Sequence, residues 1–267
     1  MIMQNSIVLI TGGASGIGAY MARECAERGA TVVVWDINET MLRGLETTVP
    51  GITTMRCNVA DRADVYYQAE QLQKTVGHVD ILINNAGVVS GTTVLETPDD
   101  SIIHTFNVNV LAHFWTVKAF LPSMLTRNSG HIVTIASAAG LIGVKGLADY
   151  SASKFAVFGF DEALRMELRS RKSAVKTTVV CPFFIDTGMF KGVKTKFPLL
   201  LPILNKEKTA HKIIHAILQQ KKRLIIPPFV YSTVWLRLFP PTVLDILADF
   251  FGINHSMDDF VGRISKK

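Results

Sequence analysis

Ser137, Tyr150 and Lys154 fall within the stretch ASAAGLIGVKGLADYSASK, with twelve residues between the serine and the tyrosine and three between the tyrosine and the lysine. Together these side chains can move a proton while a hydride moves. A tyrosine titrates near pH ~10 and is a poor base at neutrality, but a nearby ammonium group stabilises the phenolate and lowers that value. In a helix that opens at Tyr150, Lys154 lies one turn along on the same face, with its charge beside the phenol. Ser137 follows the apolar run HIVTIA, which reads as a strand, so its hydroxyl stands where it can hydrogen-bond an alcohol or carbonyl oxygen. A tyrosine and a lysine at this spacing also occur as a half-buried ring beside a solvated amine. The surrounding sequence has to decide.

A second pattern stands at the start of the chain, where SIVLITGGASGIGAYMARECAERGA reads as a buried strand, a glycine-rich turn and an amphipathic helix. Gly12, Gly16 and Gly18, with Ser15 and Ile17 between them, form G-x-x-x-G-x-G. Such a turn lets the backbone approach a pyrophosphate, whose charge is favoured by free N–H groups at the helix N-terminus. The β-branched run TVVVWD follows and ends in Asp36, placed to accept hydrogen bonds from both adenosine ribose hydroxyls. Asp36 would repel a 2′-phosphate and no basic residue adjoins it in WDINET, so the reading favours NAD over NADP. The alternative is an aspartate capping the helix that begins near Asn38.

In this order the residues resemble the short-chain dehydrogenase/reductase family, and the resemblance covers nearly the whole chain. TGGASGIG matches its cofactor turn, Asn84 to Gly87 its NNAG motif, and Ser137, Tyr150 and Lys154 its catalytic serine, tyrosine and lysine. The resemblance implies that Asn109 holds a water between the lysine and bulk solvent. By itself, an asparagine within a helical stretch is more simply a structural hydrogen-bonder. It also implies that Asn58, where the family usually has aspartate, and Val59 face adenine, although Asn58 could instead cap the helix following at Asp61. Asn85, Ala86 and Gly87 would pass close to the adenosine ribose, though NNAG is also a good turn sequence. In CPFFIDTGMF, Pro182 is expected to end the strand pairing, with the Ile185 backbone and the Thr187 hydroxyl near the nicotinamide amide. Phe183 stands where many members have glycine, and would either wall the site or pack in the core.

A narrower resemblance lies in LAHFWTVKAFLPSMLTRNSGHIVTIAS, DYSASKFAVFGFDEALRMEL, CPFFIDTGMF and the tail MDDFVGR. These look like the branch of retinol dehydrogenases and membrane-associated hydroxysteroid dehydrogenases. Members commonly carry an apolar N-terminal anchor, whereas only MIMQN precedes SIVLIT here. The expectation is either a soluble relative or one whose anchor has been removed.

The elements that must position these groups are legible in outline. Short apolar runs (TTMRCNV, HVDILIN, HIVTIA, KTTVVC, RLIIP) alternate with helical patterns, which implies right-handed βαβ units and a parallel sheet. The expected fold is α/β, a Rossmann-type doubly wound parallel seven-stranded sheet with helices on both faces, and the family's strand order is 3-2-1-4-5-6-7. Residues 1–267 suffice for one such domain with a large core. Three scattered cysteines, Cys25, Cys57 and Cys181, suggest neither a disulfide framework nor a zinc site and fit a reducing, cytoplasmic setting. No secretory signal is read. His211 and His215 are spaced i, i+4 without a metalloprotease glutamate, and read as a surface helix rather than a metal site. No nucleic-acid motif accompanies the basic residues.

The last third carries the substrate expectation. Residues 188–220 begin with GMFKGVKTKFPLLLPILN, a leucine-rich run broken by prolines, which reads as a lid over an apolar site or as a docking surface for a neighbouring subunit. The apolar extension over residues 224–267 is too short and broken to span a bilayer. Its apolar residues beside Lys221, Lys222 and Arg223, with Tyr231 and Trp235 nearby, fit peripheral contact with anionic lipid, as does the net charge of +6. A homodimer or homotetramer interface is the competing reading. Three activities follow: NAD-dependent oxidation of a small lipophilic substrate (a retinoid, steroid or long-chain alcohol), NADPH-dependent carbonyl reduction, or a non-catalytic cofactor-binding or lipid-surface role.

Overall fold

The computed structural model describes residues 3–262. The arginine that closes MDDFVGR, the rest of the extension beyond it and the first two residues lie outside the described residues. In chain order the first half comprises β1 (Ile7–Thr11), α1 (Gly16–Glu27), β2 (Thr31–Asp36), α2 (Glu39–Thr48), β3 (Thr53–Arg56), α3 (Arg62–Thr75), β4 (Ile81–Asn84), α4 (Asp99–Phe106) and α5 (Ala112–Thr126). A π-helical turn over Asn107–Leu111 joins α4 to α5. The second half comprises β5 (His131–Ile135), α6 (Ala148–Ser170), β6 (Lys176–Pro182), α7 (Lys206–Leu218), β7 (Arg223–Ile226), α8 (Ser232–Leu236) and α9 (Pro241–Phe250).

All seven strands are parallel, in the order β3-β2-β1-β4-β5-β6-β7. Val8, Leu9 and Ile10 are each fully buried, as a strand covered on both faces requires. Even side chains of β1 point to the layer of α1, α2 and α7, built on Met21, Leu42, Leu45, Ile213 and Ile217. Odd ones face α3, α5 and α6, built on Leu72, Phe120, Met124 and Leu164. Each such fully buried aliphatic contributes about 1.5–3 kcal/mol relative to exposure, so the sheet fixes the strand ends with little freedom. Those carboxyl ends carry the site, and the order reverses between β1 and β4, where an α/β sheet opens a crevice.

Pro182 ends the pairing of β6: it is the last residue of the strand, in register with Ile226, and the closing bond runs from the Phe183 N–H to the Ile226 carbonyl at 2.8 Å. A residue without an N–H fits at the end of a strand. One expectation about chain organisation changes. The stretch 188–220 divides into an irregular segment through residue 205 and α7, whose Ala210, Ile213, Ile214 and Ile217 are buried in the sheet core. Among the described residues no helix is long and apolar enough to cross a membrane.

Candidate active site

A cleft of about 950 Å³ runs over the carboxyl ends of the strands, from Asp36 to Tyr150. Its floor is the glycine turn. Gly12 has φ +60°, and a Cβ there would fall 2.7 Å from the Ala86 Cα, so the turn and the NNAG segment approach as closely as backbone allows. Thr11 clamps the two: its hydroxyl accepts the N–H groups of Asn85 and Ala86 at 3.0 and 3.1 Å, while Asn85 Nδ2 donates to the carbonyls of Thr11 and Gly12 at 3.0 Å each. Thr11 was not among the residues expected from sequence. Its signal was its place as the first residue of TGGASGIG and the last of β1, facing the motif on the neighbouring strand.

Asp36 stands at the tip of β2, its oxygens accepting the N–H groups of Ala14 at 3.1 Å and Asn38 at 3.0 Å. The capping of α2 falls to Asn38, which accepts from Met41 N–H, so Asp36 is not that cap. Asp61 likewise caps α3 in place of Asn58. Asn58 faces the cleft with Val59, and its Oδ1 accepts from the Ala60 N–H at 3.1 Å. Ser15, Gly16, Ile17, Asn85, Ala86, Gly87, Ile185 and Thr187 also line the cleft, whereas Gly18 is buried beneath the turn. The donor set, a tight glycine cradle at one helix N-terminus with a carboxylate at the next strand end, fits a dinucleotide with an unesterified ribose.

At the other end of the cleft stand Ser137, Tyr150 and Lys154, all buried. Ser137 leaves β5 and caps a short 3₁₀ turn, its Oγ accepting the Ala139 N–H at 3.1 Å. Tyr150 lies in the first turn of α6 with Lys154 one turn on, and the lysine Nζ sits 5.6 Å from the phenol ring centroid. That amine donates to the Ile135 carbonyl at 2.9 Å, which fixes it at the mouth of β5. The electrostatics differ from the sequence expectation of a lysine-acidified phenol. Burial pushes Tyr150 up to about 12, with the neighbouring Ser137 hydroxyl opposing it. Burial also pulls Lys154 down to about 8. Desolvation outweighs the pairing here because both groups lie out of water. Tyr150 is therefore a neutral proton donor at rest, and Lys154 keeps its charge only up to mildly alkaline pH.

Asn109 sits one layer behind, fully buried in the π-helical turn. Its Oδ1 accepts the Val88 N–H at 2.9 Å, and its Nδ2 donates to the Val88 carbonyl at 2.9 Å and to Ser153 Oγ at 3.0 Å. The side-chain amide thus clamps the segment after NNAG onto α6. The phenol end of the cleft opens into a narrow second cavity of about 60 Å³. Phe183, Phe184, Phe190, Leu201, Phe229, Leu247 and Phe251 wall it, together with Ser137 and Tyr150. Among the described residues its other hydroxyls, Ser232 and Thr233, are spent on the carbonyls of Phe229 and Val230. The sequence left Phe183 as either a wall or a core residue, and it gave no sign of the contribution of α9 and its C-cap, where Leu244, Leu247, Ala248 and Phe251 share one helical face. Among the described residues no cluster could hold a metal ion, and His211 pairs with Glu24 instead.

Residues 6–197 match the family model for short chain dehydrogenases. Mouse epidermal retinol dehydrogenase 2 is 48% identical, aligned over 97% of this chain and 86% of its own. Bovine short-chain dehydrogenase/reductase family 16C member 6 is 47% identical over 96% and 84%, and human retinol dehydrogenase 10 is 40% identical over 96% and 85%. A short-chain dehydrogenase/reductase from Burkholderia phymatum, solved in complex with NAD, superposes with a TM-score of 0.80 at 27% identity, covering 92% of this chain and 96% of its own. A Streptomyces avermitilis short-chain dehydrogenase shares the fold at 24% identity, with a TM-score of 0.77 over 94% and 97% of the two chains. The overall fold agrees with these matches. The chain belongs to the short-chain dehydrogenase/reductase family, in its retinol dehydrogenase-like branch, and is an NAD(P)-dependent oxidoreductase.

Proposed function

We propose that this enzyme transfers hydride between NAD(H) and a lipophilic alcohol or its carbonyl, with Tyr150 as the proton-transferring group. The observation that carries the reading is the position of the Tyr150 phenol, shared by the polar cleft and the apolar cavity. When bound, the nicotinamide accepts or supplies the hydride. In carbonyl reduction the neutral Tyr150 donates its proton to the substrate oxygen, and Ser137 Oγ hydrogen-bonds that oxygen as charge builds on it. In alcohol oxidation Tyr150 must first be the phenolate, its negative charge held by the Lys154 ammonium and the Ser137 hydroxyl, and it becomes the neutral phenol as it takes the substrate's hydroxyl proton while hydride leaves the carbinol carbon for the nicotinamide. Lys154 also holds the nicotinamide ribose, while Asn109 helps return the proton through water. Asp36, Asn58 and Val59 bind the adenosine half, Asn85 to Gly87 its ribose side, and Ile185 and Thr187 the carboxamide. The carboxylate of Asp36 selects NAD over NADP.

The apolar walls fit a substrate with one oxygen function and a hydrocarbon body, such as the retinol named for the curated relatives. A molecule of that size enters as the irregular segment 188–205, α8 and α9 part from one another, which makes that segment the lid. We further read Trp235 and Leu238, 70% and 77% exposed, with Phe239, Ile246 and Phe250 as a face that rests on a lipid surface. The groove of about 610 Å³ between α5 and α6, lined by Phe114, Val117, Leu121 and Phe160, is the self-association face. This reading gives lipid and a second copy separate surfaces.

A screen of retinoids, steroids and aliphatic alcohols with both cofactors, followed by nicotinamide absorbance, tests the function. Turnover of long apolar alcohols with NAD is expected. Activity confined to small polar alcohols, or preference for NADP, would defeat it.

A further inference from the structure

Residues 256–262, which include most of the MDDFVGR stretch, take no part in the site as built above. They cross between two loops beside the reaction centre and hold both. Val261 and Gly262 donate their N–H groups to the Lys191 carbonyl at 2.9 and 3.2 Å, and the Lys194 N–H donates to the Ser256 carbonyl at 3.2 Å. Lys194 Nζ meets Asp259 Oδ2 at 2.6 Å, and Lys145 Nζ meets Asp258 Oδ1 at 3.1 Å. On the far side the Phe260 ring occupies the space over Gly91, whose φ is +73° and where a Cβ would fall 1.9 Å from the ring Cε1. Only glycine seats the ring there.

From Phe260 a chain of aromatic edges leads to the phenol. Phe260 lies 6.5 Å from Phe190, centroid to centroid, and the Phe190 ring meets Tyr150 edge-on at 5.7 Å and Phe184 at 5.1 Å. Met257 is buried in the same cluster as Leu147 and Tyr150. Rings in such contact restrict one another's tilt, because moving one forfeits the packing of the next. The cofactor-facing part of the same loop has a separate anchor. Ile185 bridges to Leu204, Asp186 N–H donates to the Leu204 carbonyl at 3.0 Å, and Leu204 N–H to the Phe184 carbonyl at 2.8 Å.

We propose that residues 256–262 form a clasp over the reaction centre, with Phe260 a positioning residue that holds the Tyr150 ring through Phe190. The inference rests on the proton-transfer reading of Tyr150 and deepens it. Because the two anchors are separate, loosening the clasp should impair the chemical step while leaving cofactor binding intact.

The test compares wild type, Phe260→Ala and Phe260→Leu for kcat on a long-chain alcohol and for the KM of NAD. Phe260→Ala should lower kcat about tenfold with the KM of NAD within about twofold of wild type, and Phe260→Leu, which restores bulk, should recover to within about threefold. An unchanged kcat in Phe260→Ala, or a KM of NAD that rises in step with the loss, overturns the clasp. If the alanine variant does not fold, Phe260→Val takes its place, with a loss in kcat of about fivefold expected at an unchanged KM of NAD, and a kcat equal to wild type overturns the clasp. A wild type that fails to turn over any alcohol defeats the Tyr150 reading itself, a result distinct from an active wild type matched by its variants.

Discussion

The cofactor end and the substrate end of the cleft are built in different ways. The first is mostly backbone held by a few short polar side chains: a glycine turn after β1, the Asp36 carboxylate at the tip of β2 and the Thr11 hydroxyl that clamps β1 to the segment after β4. The second is made of side chains, mostly aromatic, gathered from the loop after β6, the turn after β7 and α9. A backbone site tolerates little change because each N–H and each close approach is unique. A side-chain wall can exchange one ring for another and keep its character. The chemistry occurs where the two meet, at Tyr150.

That contrast can be broken first at the cofactor end. Asp36→Ala should weaken NAD binding by about ten- to a hundredfold, the loss of charge-assisted bonds to two hydroxyls, and admit NADP. Cofactor titration by fluorescence checks it, and an unchanged NAD affinity would place the ribose elsewhere. At the substrate end, Leu247→Ala should raise KM for long apolar alcohols by roughly five- to thirtyfold while leaving NAD affinity untouched, since a few buried methylenes are worth about 1–2 kcal/mol. Equal loss for short alcohols would show that α9 does not wall the substrate.

The smallest expected effect sharpens the junction. Lys154 is charged below about pH 8 and neutral above it. Carbonyl reduction leaves a phenolate on Tyr150 that this charge stabilises, so its rate should hold up to about pH 8 and then fall by severalfold over the next unit. A flat profile into strongly alkaline solution would mean that the Lys154 charge does not assist.

The same contrast explains what could be read in advance. TGGASGIG and NNAG are each short local motifs and Asp36 closes a short apolar run, so the residues lining the cofactor end of the cleft could be picked out along the chain, while the strand order came from the family resemblance. The pairing of Tyr150 with Lys154 was legible too, because one helical turn fixes it. The direction of the Tyr150 shift was not, since burial is a property of the assembled core and no spacing reports it. Asn109 showed the same limit: its amide is consumed by Val88 and Ser153, partners 21 and 44 residues away. The apolar cavity was hidden for a further reason. Phe229, Leu247 and Phe251 looked like surface for lipid or a neighbour until α9 turned one face inward and left Ile246 and Phe250 outside.

The central claim, that Tyr150 moves the proton beside a bound dinucleotide, is tested most directly by single-turnover hydride transfer in Tyr150→Phe. The account predicts a rate about 10²–10⁴ lower with NAD affinity preserved. Hydride transfer within about tenfold of wild type would contradict it.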